Sequence, residues 1–291
     1  MVVGRNTGRT ALLFLAPTLL GLLIFKVYPI FAAFYGSFFA HSMRLRTQVF
    51  VYFEQYQSVF SDPIFWRSLW TTIVFNVVTI PLQVALSLGL ALLLNAQYRS
   101  VGLMRSLIMF PVGISMPVTT VIWGVILSPQ MGFANSMLGV FGIDPQPFLV
   151  SARQALPSII WIATWKGVPY WMLFLLAGLK AIPEMYYECA RLDGARPFTV
   201  LWRITIPLLE RVLLFVIAAN TIANFLLFVP PYLLTRGGPQ GATNLLMYEV
   251  FKTGFIYRDM NRSLAMLMVL LVMLFVVILV QFRLVRAKHE Y

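Results

Sequence analysis

A charged stretch, "EMYYECARLDGARPFTVLWRITIP", covers residues 184–207 and lies between two long apolar runs. Its Glu188 carboxylate could pair with a basic partner, and Tyr187, Ala190, Arg191 and Gly194 recur at helical spacing. Gly194 is typical of the residue that ends a helix, and Pro197 of the first turn of the next one. The stretch therefore predicts two short helices, the second ending at Pro207. Its physical chemistry fits both a docking element and an amphipathic connector on a membrane surface.

A second set of residues could bind a solute, because it combines amides and aromatic rings inside apolar segments. Sugars are held by hydrogen bonds and by aromatic faces, so these residue types are candidates for a substrate path. Asn220 and Asn224 are four residues apart and share one helix face, which makes them the best pair. Hydrogen bonds between helices and an aromatic belt at the membrane interface remain the alternatives. The candidates are Asn76, Gln83, Trp165, Tyr170, Trp171, Asn220 and Asn224.

Enzymatic chemistry is not predicted. The sequence has no G-x-x-x-x-G-K-[ST] stretch to cradle a phosphate, and no Ser/His/Asp set can be assembled. With two histidines and the single Cys189, it offers no metal cluster and no disulfide framework. We therefore expect a chain without a catalytic site, a metal site or a bound cofactor of its own.

Composition indicates an integral membrane protein. The 291 residues are 60% hydrophobic and 11% charged, and the mean hydropathy is +0.82. A helix needs about 20 apolar residues to cross the hydrocarbon core. Lys26 and Lys166 interrupt two of the apolar segments; each could extend to a head group or face a packed interior, and Lys166 could also face a pathway. Six spans are predicted, at about 11–36, 68–94, 103–127, 155–182, 211–233 and 264–283.

The distribution of Lys and Arg predicts the orientation of these spans, because basic loops stay in the cytoplasm. Twelve basic residues lie in the two tails and two connecting segments on one side, and eight lie over longer loops on the other. Both termini and the charged stretch are therefore expected on the cytoplasmic side. On the outer side, Asp62-Pro63 is a helix-start signal within an aromatic-rich segment. With no internal repeat, residues 1–291 are predicted to be a single all-α membrane domain, multi-pass in the bacterial plasma membrane, with a cytoplasmic loop at 184–210.

The charged stretch resembles the cytoplasmic signature of permease subunits in binding-protein-dependent ABC importers. That pattern reads E-A-A, three residues, G, nine residues, I-x-L-P, and here it reads Glu188-Cys189-Ala190, Gly194, then Ile204-Thr205-Ile206-Pro207. Cys189 replaces Ala and Ile206 replaces Leu, both with similar size and polarity. The segment "ECARLDGA" is similar to the carbohydrate-uptake branch of the family.

Three further segments, residues 50–75, 109–138 and 233–255, resemble the MalF/UgpA type of sugar permease, although Arg236 stands where Gly is more usual. The resemblance covers nearly the whole chain. It implies the type I importer fold and uptake of a sugar, an oligosaccharide or a polyol such as glycerol 3-phosphate.

The same resemblance implies how the chain works and with what. The charged stretch would be a pair of coupling helices resting in a groove of a cytoplasmic ATPase subunit. Glu188 and Asp193 would make polar contacts there, Ala190 and Gly194 would allow close approach, and Ile204, Ile206 and Pro207 would anchor the second helix. The implied partners are a second, MalG/UgpE-like permease, two ATPase subunits that carry ATP and Mg, and an extracytoplasmic substrate-binding protein. No nucleic-acid partner is expected.

Two other classes of membrane protein are alternatives to an importer subunit. A secondary transporter would need an internal repeat and usually a membrane-embedded carboxylate, and neither is evident in the sequence. A non-transport membrane scaffold would not need the cytoplasmic signature. Dependence of transport on ATP separates an importer subunit from both.

Overall fold

The structure is a computed structural model that describes residues 7–42, 47–95 and 101–284. These described residues divide into two compact units. The first contains residues 7–42, 47–62 and 250–271, and the second contains residues 63–95, 101–249 and 272–284. The expected basic residues at 5, 44, 46, 99, 286 and 288 lie outside the described residues.

The first unit begins with an apolar helical run that matches the first predicted span. Lys26 lies in a π-helical turn just before Tyr28-Pro29. Since Pro29 lacks an N–H and its ring clashes with the preceding turn, a wider turn relieves the conflict. The elements are α1 (Thr7–Leu22), the π-helical turn Leu23–Val27, α2 (Tyr28–Gly36), β1 (Phe39–Ser42), β2 (Thr47–Phe50) and α3 (Glu54–Phe60).

The strands β1 and β2 correct the expectation of a purely α-helical fold. They pair antiparallel, with Phe39 opposite Phe50 and Ser42 opposite Thr47. The β-branched and aromatic residues here favour a pleated surface, and the ring centroids of Phe39 and Phe50 lie 5.3 Å apart. This hairpin is too short to show a clear alternating pattern in the sequence.

Residues at the start of α14 (Met260–Leu284) complete the first unit. The side-chain amide of Asn261 donates to the carbonyl of Gly36 at the end of α2, at 2.8 Å. Gly36 favours this contact, because a Cβ atom would lie 2.7 Å from the end of the Leu264 side chain and would force that side chain to shift. Arg262 forms an ion pair with Asp62 at 2.5 Å. These contacts hold the end of α2 and residue 62 against the last helix.

The second unit contains most of the helices and the main apolar core. Its longest helix, α4, begins at Pro63, as the Asp62-Pro63 signal predicts. The elements are α4 (Pro63–Asn95), α5 (Val101–Gly113), α6 (Met116–Ile126), α7 (Phe133–Val140), α8 (Ala155–Ala181), α9 (Met185–Leu192), α10 (Pro197–Val200), the π-helical turn Leu201–Thr205, α11 (Ile206–Leu208) and α12 (Glu210–Phe225). After the π-helical turn Pro231–Thr235, α13 (Leu246–Phe251) leads toward α14.

The core of the second unit lies where α4, α8 and α12 meet. Met172 and Leu175 on α8 pack with Ala91 on α4 and with Leu209 at the start of α12. Gly178 allows this close approach, because a Cβ atom would lie 2.9 Å from the Leu209 side chain. The three helices that carry all seven candidate solute-binding residues are therefore fixed by one packed cluster.

Four helical segments among the described residues are long and apolar enough to span a membrane: Leu12–Gly36, Pro63–Asn95, Ala155–Ala181 and Met260–Arg283. A fifth counts only if α5 and α6 are one span, since they are bent by 100° at their break. The predicted span at 103–127 is therefore occupied by two helices, α5 and α6, with a break between them. Pro117 at the start of α6 would leave the carbonyl of residue 113 without its helical partner, so the helix does not continue.

The predicted span at 211–233 is only partly occupied by a single α-helix. The helix there is α12, with 16 residues, and it ends at Phe225 before Pro230 and Pro231. At 1.5 Å per residue it is about 24 Å long, shorter than the hydrocarbon core. The count of six spans and the cytoplasmic position of both termini stay predictions.

Candidate functional site

A cavity of about 610 Å³ lies in the second unit among α4, α8, α12 and the residues on both sides of the α5–α6 break. Five of the seven candidate solute-binding residues line it: Gln83, Tyr170, Trp171, Asn220 and Asn224. The remaining lining is mostly apolar, with Val112, Met116, Ala163, Gly167, Phe174, Phe215, Ala219, Ile222, Ala223 and Leu227, and with Lys166 as the charged residue.

The three amides form one connected group at the wall of this cavity. Asn224 Nδ2 lies 3.1 Å from Gln83 Oε1 and 2.5 Å from Asn220 Oδ1. Gln83 Nε2 donates in turn to the carbonyl of Ala163 on α8, at 2.9 Å. All three amide side chains are buried. This group joins α4, α8 and α12, and it offers donors and acceptors side by side.

One donor of the group is unused. Asn220 Nδ2 is buried and has no hydrogen-bond partner among the described residues. An unpaired buried donor costs about 1–3 kcal/mol, and a rotation of the Asn220 side chain is needed before an acceptor in the cavity can recover it, because the atom is closed off in this conformation. The arrangement can therefore bind a polar, uncharged group such as a hydroxyl.

Aromatic rings line the cavity beside the amides. Tyr170 is 44% exposed and packs edge-to-face on Trp171, with centroids 4.9 Å apart. Phe174 is one helical turn further along α8, 5.3 Å from Tyr170. Trp171 itself is buried in the core cluster, so Tyr170 is the more available ring of the pair.

Asn76 and Trp165 lie away from this cavity. Asn76 is buried on α4 and donates to the carbonyl of Thr72 at 2.8 Å. Trp165 lines a second cavity of about 370 Å³ together with Trp161, and its ring packs edge-to-face on Trp123 at 5.6 Å. Trp165 and Tyr170 are on the same helix but face different cavities.

Sequence reasoning missed several lining residues. Gly167 favours close approach, because a Cβ atom would lie 3.0 Å from Gln83 Nε2 and the amide would have to shift. A glycine inside an apolar helix is a signal for such an approach. Phe174 and Phe215, by contrast, give no signal, since aromatic residues occur on every face of these helices.

Lys166 makes its contacts outside the amide group. Its Nζ donates to three carbonyls at the α5–α6 break, those of Pro111 at 2.6 Å, Val112 at 3.2 Å and Ile114 at 2.5 Å. The residue lines the cavity and at the same time binds backbone. Lys166 is half-buried, with one side toward the cavity and its Nζ packed on the broken helix.

The charged stretch folds into α9, a turn and the helical run from α10 to α12. Gly194 has a positive φ of 67° and ends α9 as predicted. The N–H groups of Gly194 and Ala195 bond back to the carbonyls of Arg191 and Ala190, which is a Schellman end. Since a Cβ atom on Gly194 would meet open space, the backbone conformation is what requires glycine here.

Helix α9 exposes a polar face and buries a face that carries the small residue Ala190. Glu188, Cys189 and Asp193 are exposed, whereas Ala190 is 5% exposed and packs inside this chain. Tyr187 lies 3.3 Å from Thr205, hydroxyl to hydroxyl, which joins α9 to the π-helical turn. The stretch is therefore fixed to the rest of the unit on one side and open on the other.

The sequence predicts that the second helix of the stretch ends at Pro207, but in the structure the helical run continues past this residue. Pro207 lies at the start of α11, and the π-helical turn before it accommodates the proline. Ile204, Ile206 and Pro207 are half-buried. The exposed side also carries large apolar residues that sequence reasoning missed: Leu192 at 88%, Phe198 at 72% and Trp202 at 57% exposure.

Curated proteins similar to this chain are transport permeases. The chain is 33% identical over 278 residues to the sn-glycerol-3-phosphate transport system permease protein UgpA of Brucella abortus, covering 95% of this chain and 94% of that protein. It is 30% identical to the sulfoquinovosyl glycerol transport system permease protein SmoG of Agrobacterium fabrum, over 96% and 91%. It is 32% identical to the trehalose/maltose transport system permease protein MalF of Thermococcus litoralis, over 83% of each.

Solved structures show the same fold. A chain of a bacterial ABC transporter involved in the import of the acidic polysaccharide alginate superposes with a TM-score of 0.83 at 21% identity, over 98% of this chain and 99% of that one. A second structure of such a transporter, in complex with an alginate pentasaccharide-bound periplasmic protein, gives a TM-score of 0.81 at 20% identity and full coverage. This is the type I ABC importer permease fold.

The model of one protein family matches residues 12–288. With the similar permeases and the shared fold, this match confirms the family resemblance and a location in the inner membrane. The chain belongs to the family of binding-protein-dependent transport system inner membrane components.

Proposed function

We propose that this chain is a permease subunit of an ATP-driven importer that takes up a sugar, an oligosaccharide or a related polyol such as glycerol 3-phosphate. The observation that carries the proposal is the joined amide group of Gln83, Asn220 and Asn224 at the wall of the cavity. The solute passes through this cavity, and the cycle is driven from the charged stretch at residues 184–207.

The chemistry of the cavity supports a polyhydroxylated solute. Three amides offer hydrogen bonds, and Tyr170 adds an aromatic face for the apolar side of a sugar ring. The residues lining the cavity include no carboxylate, which disfavours a cationic solute. The similar permeases named above are described as transporting glycerol 3-phosphate, sulfoquinovosyl glycerol, and trehalose or maltose, all of which carry several hydroxyl groups.

The charged stretch supports coupling to a cytoplasmic ATPase. Glu188 and Asp193 are exposed carboxylates on a short helix whose other side is fixed to the unit. Leu192, Phe198 and Trp202 are large exposed side chains on the same stretch, and buried anchors of this kind contribute much of the energy of protein interfaces. We assign the docking surface to Glu188, Cys189, Asp193, Leu192, Phe198 and Trp202.

Ala190 acts from within the chain, where its small side chain lets α9 lie close to the rest of the unit. Gly194 fixes the turn, and Ile204, Ile206 and Pro207 anchor the second helix. Displacement of the docking surface is therefore transmitted to α12, which carries Asn220 and Asn224.

The working importer contains a second, MalG/UgpE-like permease, two ATPase subunits and an extracytoplasmic substrate-binding protein. ATP and Mg bind to the ATPase subunits, and this chain binds neither. Six spans place both termini and the docking surface in the cytoplasm. Because the helical run from α10 to α12 is interrupted only by a π-helical turn and by Leu209, it can carry force between the two sites.

The test is to express the tagged chain with its genomic neighbours, purify it, and measure ATP-dependent uptake in vesicles. We expect an ATPase and a second permease to co-purify, and the ATPase to be lost with Glu188→Lys. Glu54→Lys is the matched control, since Glu54 is an exposed glutamate at the start of α3, far from the stretch in sequence. Ligand screening of the partner binding protein then identifies the solute. Solute movement without ATP, by the chain alone, would refute the proposal.

A further inference from the structure

The break between α5 and α6 leaves backbone groups without helical partners. The break is bent by 100°, and Pro117 near the start of α6 prevents the helix from continuing. The last carbonyls of any helix have no intrahelical donor. In an apolar, membrane-embedded region such carbonyls must be satisfied by other groups, because water is scarce.

Lys166 supplies donors from a different helix, in addition to the Ile114 N–H group, which donates to the Pro111 carbonyl at 3.3 Å. It is 55 residues beyond Pro111 in the sequence, and its Nζ lies 2.5–3.2 Å from the carbonyl oxygens of Pro111, Val112 and Ile114. Three acceptors match the three N–H groups of an ammonium, which radiate from one atom. The positive charge also lies at the end of α5 where the helix dipole is negative. The Lys166 ammonium and the backbone carbonyls at the break therefore satisfy each other's hydrogen-bonding capacity.

The break is also a wall of the cavity. Val112 and Met116, on either side of it, line the cavity together with Lys166 and Gly167. Gly167 lies next to the Gln83 amide, since an added Cβ atom would be 3.0 Å from its nitrogen. The position of the wall relative to the amide group is therefore set by the contact between α8 and the break.

We propose that Lys166 is a positioning residue that fixes the α5–α6 break and thereby sets the shape and solute discrimination of the cavity. The part that concerns the solute rests on the function proposed above. The ammonium is not a direct ligand of the solute, because its three donors are engaged by backbone carbonyls. Substitution should therefore loosen the wall rather than remove one hydrogen bond to the solute.

The geometry is tested directly by the distance between spin labels at Leu107 on α5 and Val121 on α6, which are both exposed. Labels are placed in the full-length chain in nanodiscs, in a Cys189→Ala background, because the native Cys189 is exposed and would also react. We expect a narrow distance distribution with Lys166 and a broadened or shifted one with Lys166→Met. Lys26→Met is the matched control, because Lys26 is a second lysine in an apolar helix but lies exposed at a π-helical turn.

If the Lys166→Met variant does not accumulate in the membrane, the same distance measurement is made on Lys166→Arg. The N–H groups of a guanidinium all lie in one plane and point in different directions within it, so they cannot replace the three donors of a single ammonium nitrogen; we therefore expect an intermediate broadening. An unchanged distribution in Lys166→Met, or in Lys166→Arg when that is the only variant obtained, overturns the proposal. A change of equal size in Lys26→Met overturns it as well.

The functional arm measures uptake by the complete importer in vesicles. With Lys166→Met we expect the solute concentration for half-maximal uptake to rise about tenfold, and competing sugars to be excluded less well, while the ATPase subunits still co-purify. Lys166→Arg should restore part of the discrimination. If the label distances change but uptake does not, Lys166 fixes the break as described, but the solute does not pass through this cavity. That result would refute both the proposed solute cavity and the solute part of this proposal.

Discussion

Asn224 on α12 donates from its side-chain amide to Gln83 on α4, 141 residues earlier in the sequence, with an N–O distance of 3.1 Å. The same amide nitrogen lies 2.5 Å from Oδ1 of Asn220, one helical turn away. These hydrogen bonds join Gln83, Asn220 and Asn224 into one group. From the sequence, only Asn220 and Asn224 are expected to lie together, and Gln83 is a separate candidate. The group also extends to α8, because the Gln83 side-chain nitrogen donates to the carbonyl of Ala163.

Removing one amide of this group should weaken solute binding. We expect Asn220→Ala or Asn224→Ala to raise the solute concentration for half-maximal uptake about tenfold, since one well-placed hydrogen bond contributes roughly 1 kcal/mol and its loss leaves partners unpaired. Asn76→Ala is the control, because Asn76 is a buried asparagine outside the cavity. Initial uptake rates over a range of concentrations provide the measurement. Equal effects at all three positions would indicate a general packing defect.

Reversing the charge of Glu188 should separate this chain from its ATPase. Glu188 is exposed on α9, so a lysine there places like charge against a basic partner without disturbing the interior of the chain. We expect uptake to be abolished and less ATPase to co-purify, while the amount of chain in the membrane stays the same. Glu54→Lys should behave as the unmodified chain does. Normal transport by Glu188→Lys would remove Glu188 from the docking surface.

Gly194→Ala should destabilise the turn after α9 through the backbone alone. A positive φ of 67° costs a residue with a Cβ atom about 1 kcal/mol, even though that atom would meet open space. We expect faster hydrogen exchange in residues 185–195 and a decrease in ATP-driven uptake. Gly89→Ala is matched, because Gly89 is a glycine of α4 with open space around a Cβ atom and without a positive φ. That variant should exchange at the original rate.

Leu209→Ala should lower the stability of the second unit. Leu209 is 0% exposed and packs against Gly178 between α8 and α12, so truncation leaves a cavity that costs about 2–5 kcal/mol. Leu192→Ala removes the same atoms from a side chain that is 88% exposed and should leave the Tm of the purified chain unchanged. Thermal unfolding in detergent compares the two. A Tm shift of the same size in both would mean that Leu209 is not part of the core.

Short-range signals in the sequence predicted local structure well where the backbone chemistry is specific. Pro63 begins α4, and Gly194 ends α9 with a left-handed residue, because proline lacks an N–H and glycine lacks a Cβ atom. Proline was less informative at Pro207, where a π-helical turn lets the helix continue. Pro117, by contrast, lies just after a break in the helix, which covers residues 114–115.

The sequence by itself determined the membrane class, the family signature at 188–207 and the shared face of Asn220 and Asn224, since these depend on composition and on spacing along one helix. Only the tertiary structure decided which faces meet: that Tyr170 lines the amide cavity and Trp165 a different one, that Ala190 packs inward, and that Lys166 binds the carbonyls of a broken helix. In a membrane protein the faces that meet lipid and the faces that meet other helices are both apolar, so hydrophobic periodicity does not tell them apart. Contacts between residues far apart in sequence, such as Gln83 and Asn224, depend on that choice of faces and therefore on the packed fold.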